Sequence, residues 1–121
     1  MLNGGSPAGR LVVQRDSSRA TVVMTGEIDL DAVRAADKRL RALLDKPPDT
    51  VDVDLGGVTF IDSSGIAALV KLYSSAHEAG GTMTIHSVTP PVVRLLEICG
   101  LLDIFQVSPD GQALGLSLIH I

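Results

Sequence analysis

The residues of this chain that could do chemistry gather in one short run, Thr59-Phe60-Ile61-Asp62-Ser63-Ser64-Gly65-Ile66. An apolar stretch leads into it and a helical apolar pattern leaves it, so two hydroxyls fall at a strand-to-helix bend. They stand behind an aspartate and ahead of a glycine. A serine there is held at a helix N-terminus and open to another protein's active site. That is the chemistry of a phosphoacceptor more than of a catalyst. No sequence signature of an activated nucleophile surrounds Ser63.

The neighbouring residues each carry a plainer reading as well. Serine is a favoured N-cap, and for Ser64 capping is the better reading, whereas Ser63 reads as the acceptor. Asp62 caps the helix, orients the hydroxyl, or does both. Gly65 either admits another backbone or is a packing glycine. Asp29 reads as a helix cap first and an interface residue second. Asp52 and Asp54 read as the polar face of a strand, because no His or Cys joins them at ligand spacing. His77, His86 and His120 are scattered and suggest neither a metal site nor a triad. A small hydrolase using Ser63 would need one of them folded close to it. Gly56-Gly57 and Gly80-Gly81 lack the Lys-Ser/Thr that completes a phosphate loop.

The elements that must position the bend follow from periodicity. Leu11 to Gln14 and Ala20 to Thr25 are β-branched runs separated by Asp16-Ser17-Ser18, the chemistry of a hairpin turn. Gly26 ends the second run. Asp29 can then cap a helix with apolar positions Leu30, Val33, Leu40, Leu43 and Leu44, stopped by Pro47-Pro48. Thr50 to Leu55 alternates, with Val51, Val53 and Leu55 on one side and Asp52 and Asp54 on the other. Gly56-Gly57 is a break before Val58 to Ile61. The helix after the bend presents Ile66, Leu69, Val70, Tyr73 and Ala76, and Gly80-Gly81 closes it. Thr82 to His86 is a strand. Thr89-Pro90-Pro91 starts a helix carrying Val92, Leu95, Leu96 and Cys99, and Gly100 ends it. Ile104 to Val107 is a last short strand. Strands alternating with helices of crossover length predict an α/β domain. Its sheet is mostly parallel, mixed, four- to five-stranded and flanked by helices, with an antiparallel N-terminal hairpin.

Composition narrows the function classes. At 121 residues and 45% hydrophobic, the chain suits one domain with one core. Tyr73, Phe60 and Phe105 are its only aromatics and its formal net charge is −4, which argue against nucleic-acid binding. No apolar run approaches the roughly 20 residues of a membrane helix. Cys99 is the single cysteine; its apolar neighbours Ile98 and Leu101 predict a buried thiol, in keeping with a reducing cytoplasm. Residues 1–9 read as a loose leader and 10–114 as the domain. The tail 115–121 ends in Leu-Ser-Leu-Ile-His-Ile, which reads as non-native read-through of a sequencing adapter rather than a packed segment.

Several landmarks together resemble the STAS domain, and more closely the bacterial anti-sigma factor antagonists. They are Gly26-Glu27-Ile28-Asp29, Val51 to Leu55, Phe60 to Ile66, Gly80-Gly81, and Pro91 to Phe105 with its Gly100-Leu101. The resemblance spans roughly Leu11 to Leu114. It implies a cytoplasmic switch protein, not an enzyme. Such a protein binds an anti-sigma factor that is also a serine kinase, and so frees a sigma factor. The kinase phosphorylates the serine after the aspartate, here Ser63, and binding is lost; a phosphoserine phosphatase resets the switch. The kinase supplies ATP and Mg²⁺, so no cofactor is implied for this chain. The docking face implied comprises Glu27, Asp29, Asp62, Ser63, Ser64 and Gly65, with Lys71 and Ser74 on the exposed edge of the following helix. Two alternatives lie within the family: a constitutive subunit of a stress-signalling scaffold or lipid-transport complex, and a domain of a membrane anion transporter.

Overall fold

A computed structural model describes residues 8–107. The proposed tail at 115–121 and nearly all of the leader lie outside that range. A four-stranded sheet runs in the order β1-β2-β3-β4. Its strands are β1 (Arg10–Arg15), β2 (Arg19–Ile28), β3 (Thr50–Ile61) and β4 (Thr82–Ser87). β1 pairs antiparallel with β2, and the other pairs are parallel. The helices are α1 (Leu30–Ala35), α2 (Asp37–Asp45), α3 (Ser63–Glu78) and α4 (Pro90–Ile98). None of the described helices is long and apolar enough to cross a membrane.

The β1–β2 turn is closed by Asp16, whose carboxylate accepts the N–H groups of Ser18 and Arg19, each at 2.9 Å. These bonds, Ser18 first and Arg19 second, hold its pKa below the ordinary 3.8. A carboxyl held down in the fold stabilises it above the unfolded pKa. That contribution fades as pH falls through the lower folded value.

One face of the sheet makes the core. Val22, Met24, Ile28, Val53, Leu55 and Ile85 are fully buried, as are Leu43, Leu69, Val92 and Leu96 from the helices. Each such aliphatic side chain contributes about 1.5–3 kcal/mol of burial. On the other face, Asp52 is the one charged side chain buried among the described residues. Arg19 lies 2.9 Å and His86 3.1 Å from its two carboxylate oxygens. Asp52 is thus a clamp across β2, β3 and β4.

The glycines do not stop the strands as the sequence reading expected. β2 continues through Gly26 to Ile28, and β3 continues through Gly56-Gly57 to Ile61. The two irregularities are neighbours: Thr25 pairs with Gly57 and Gly26 with Val58, amid shifts in register. Gly26 takes a φ of 75°, and a Cβ on Gly57 would stand 2.9 Å from the Thr25 methyl. Here glycine makes a bulge, which lets pairing resume. The resumed register matches Ile28 with Ile61, so both strands end side by side.

The helix expected from Asp29 to Leu44 is two helices. Ala36, at φ −100° and ψ 9°, separates them. α1 packs against β1, β2 and α3, and α2 packs against α3. A single straight helix would not serve both sets of neighbours.

Three further expectations are corrected. The run 104–107 is a turn region in which Phe105 and Val107 donate to the carbonyls of Leu101 and Leu102. It inserts Phe105 into the core, tilted against Tyr73 at 5.7 Å between ring centres. Cys99 is exposed, because it caps α4 beside the equally exposed Ile98 and Gly100. On α3, Val70 faces outward and Leu72 takes the buried position. Thr89 stands at the N-cap of α4, but its hydroxyl donates to the Val58 carbonyl at 2.7 Å and so ties α4 to β3.

Candidate functional site

The site is built where β2 and β3 end together. The Asp62 N–H donates to the Ile28 carbonyl at 3.1 Å, extending the pairing by one residue. Each strand then turns into a helix through an aspartate of nearly the same conformation. Asp29 has φ −112° and ψ −172°; Asp62 has φ −108° and ψ −170°. Asp29 accepts the Ala32 N–H at 3.0 Å. Asp62 accepts the N–H groups of Ser64 at 2.8 Å and Gly65 at 3.3 Å. Two capping carboxylates thus stand at adjacent helix N-termini, at the carboxyl edge of a parallel pair. Open α/β sheets favour ligand contacts at that edge.

Asp62 therefore caps α3, and Ser64 does not. Substituting Asp62 by alanine is expected to cost about 1 kcal/mol of stability, within a range of about 0.5–2. Asparagine there should restore most of it. Urea unfolding of the two variants measures both effects. Equal stability of the alanine variant and wild type would contradict the capping role.

Ser63 is the first residue of α3, and it is exposed. Its hydroxyl makes no hydrogen bond to a described residue. Ser64 is half-buried and Gly65 is buried. Gly65 is a packing glycine: a Cβ there would stand 2.5 Å from Ile61 Cγ1 and 2.9 Å from Ile28 Cγ2. That contact presses the first turn of α3 onto both strand ends. Ser63, Ala67, Val70, Lys71 and Ser74 are all exposed on α3. Their spacing places them on one helical stripe. Glu27 is half-buried, opposite Phe60 on β3. The structure thus places Glu27, Asp29, Asp62, Ser63, Ser64 and Gly65 around one bend, with Lys71 and Ser74 farther along α3.

Two exposed apolar side chains beside the bend were missed by sequence reasoning. Leu30 is 45% exposed and Phe60 49% exposed, both next to capping aspartates in sequence or one residue removed. Periodicity assigned Leu30 to the buried helix face. Phe60 was part of the motif, but its sequence position did not show that its ring is exposed. A groove of about 470 Å³ also opens between α3 and the α1–α2 pair, with Ser64 and Lys71 in its lining.

The described histidines lie elsewhere. His77 stands fourteen positions after Ser63 on the same helix, about 21 Å along its axis. It stacks on Tyr73, with ring centres 5.1 Å apart. His86 is held by Asp52. The hydrolase reading required a histidine beside Ser63, and neither of these two is there.

Residues 11–107 match the family model described as "Mlab, STAS domain". The chain belongs to the STAS domain family. Among its relatives, the anti-sigma-B factor antagonist of Bacillus subtilis (strain 168) is 26% identical, over 83% of this chain and 91% of the relative. The anti-sigma F factor antagonist of Paenibacillus polymyxa is 28% identical, over 92% of this chain and 97% of the relative. The Bacillus cell fate determinant SpoIIAA shares the fold in both solved forms. The unphosphorylated form gives a TM-score of 0.64 at 21% identity, covering 78% of this chain and 82% of that one. The phosphorylated form gives 0.62 at 18% identity, covering 78% and 85%.

Proposed function

We propose that this STAS domain is an anti-sigma factor antagonist whose binding is switched off by phosphorylation of Ser63. One observation carries the reading: Ser63 is exposed at the first position of α3, directly after its aspartate cap and on a continuous exposed stripe. An incoming kinase can reach the hydroxyl without unfolding anything. The names of the relatives support the class of partner, an anti-sigma factor. In this reading the partner is also the serine kinase, a phosphatase restores the hydroxyl, and the cycle runs in the cytoplasm. Glu27, Asp29 and Asp62 surround the acceptor, Ser64 and Gly65 shape it, and Lys71 and Ser74 extend the contact.

The Asp62 cap bears on how a phosphate would act. Unpaired N–H groups at a helix N-terminus favour a phosphate. Asp62 already bonds those of Ser64 and Gly65. A phosphate on Ser63 therefore lies beside a carboxylate and stays a solvated dianion of about −1.5 to −2 charges. It does not need to disturb the fold, and SpoIIAA keeps one fold in both of its forms.

Titration calorimetry with purified anti-sigma-B and anti-sigma F factors, the named targets of the two relatives, tests the function. The expected result is saturable binding to at least one of them by the unphosphorylated chain. Failure to bind either would overturn the proposal.

A further inference from the structure

The groove between α3 and the α1–α2 pair has apolar walls, with Leu30 and Val33 from α1 and Leu44 from α2. α3 meets them with small side chains such as Ala67, so the space stays open. We propose that this groove takes an apolar segment of the same anti-sigma partner, with a partner carboxylate set against Lys71. The inference rests on the reading of Ser63 and deepens it by naming what else the partner must carry.

Two observations select this occupant. The first is continuity: Ser64 lines the groove, and the acceptor Ser63 adjoins it. Ala67 and Lys71 follow Ser63 at one and two helical turns on the same stripe. A protein seated over Ser63 therefore lies across the groove mouth. The second is charge. The Asp37 and Arg41 carboxylate and guanidinium at the rim already bond each other at 2.8 Å. Lys71 is exposed and has no ion pair among the described residues. At the bend the charge is opposite, with Glu27, Asp29 and Asp62 at the strand ends beside Ser63. The complementary partner surface is basic over the bend, apolar in the groove and acidic over Lys71. Matched charge of this kind sets orientation and partner choice. Exposed Leu30, which follows the Asp29 cap and lines the same groove as Lys71, offers an apolar anchor for the contact.

The test compares wild type with Ala67→Trp, which plugs the groove from an exposed position, and Lys71→Glu, which reverses the cation. Lys38→Glu is the control: the same charge change on exposed α2 surface outside the groove lining. Binding to the anti-sigma factor that wild type recognises is read by calorimetry, with circular dichroism confirming folding. Both groove variants should bind at least about tenfold more weakly, a loss of about 1.4 kcal/mol. Lys38→Glu should stay within about twofold of wild type. If wild type binds and the groove variants bind equally well, the groove inference falls and the role of Ser63 stands. The same holds if Lys38→Glu weakens binding as much as Lys71→Glu, since only general electrostatics would then be at work. If wild type binds neither factor, the reading of Ser63 falls and takes the groove with it.

Discussion

Stoichiometric phosphorylation of Ser63 is expected to weaken binding to the anti-sigma partner about a thousandfold, a loss of about 4 kcal/mol. Two effects add to reach that size. The first is steric and solvational: an interface fitted to a small hydroxyl must accept or expel a dianion with its hydration shell. The second is the local field. Asp62 holds its carboxylate at the same helix terminus, and Asp29 caps the neighbouring one. Two of the N–H groups that could soften the new charge, those of Ser64 and Gly65, are already bonded to Asp62. The unfolding midpoint of the phosphorylated chain should stay close to that of the unmodified one, because Ser63 is exposed. Calorimetry and urea unfolding on the same two samples separate the effects. Equal affinities would contradict the switch. A large fall in stability would move its cause from the interface to the fold.

Gly65→Val is expected to destabilise the domain by about 3 kcal/mol or more, the upper part of the range for overpacking a core. Ile28 and Ile61, which the new side chain would meet, are buried at the ends of the paired strands. They can retreat only by separating β2 from β3. Gly65→Ala is the graded companion. Replacing a helical glycine gains about 1 kcal/mol of propensity, and the 2.5 Å approach to Ile61 more than offsets it. Alanine should therefore be less stable than glycine, and valine less stable than alanine. Because α3 would be pushed off the strand ends, Ser63 should also lose partner affinity at temperatures where the variant remains folded. An alanine variant as stable as wild type would show that the first turn of α3 is not clamped.

Much of this was legible in the residues. The alternation of Val51, Val53 and Leu55 gave the core side of β3, and the caps at Asp29 and Asp62 gave the starts of two helices. The order of strands and helices carried the parallel topology. The misreadings share a cause, since local signals do not say what an element packs against. Gly26 and Gly56-Gly57 look like stops in isolation. Only their meeting across two strands makes them a bulge. Nothing between Asp29 and Leu44 is a Gly or Pro, so the break at Ala36 has no local sign; it answers to two different packing partners. Ile104 to Val107 has strand-like residues, yet its backbone bonds to the preceding turn. Cys99 fits an apolar stripe, but lies beyond the end of the surface that α4 buries. At the site, Ser63 and Asp62 were evident from the motif. The groove and the exposure of Leu30 were not, because they depend on how three helices, α1, α2 and α3, come together in space.

The most direct test is to locate the phosphate. The chain is incubated with ATP, Mg²⁺ and the anti-sigma kinase it binds, and the modified residue is mapped by tandem mass spectrometry in wild type, Ser63→Ala and Ser64→Ala. A single phosphate on Ser63, absent from Ser63→Ala and retained in Ser64→Ala, is the expected result. A phosphate on any other residue, or no phosphate despite firm binding, would contradict the account and leave the bend as a constitutive contact.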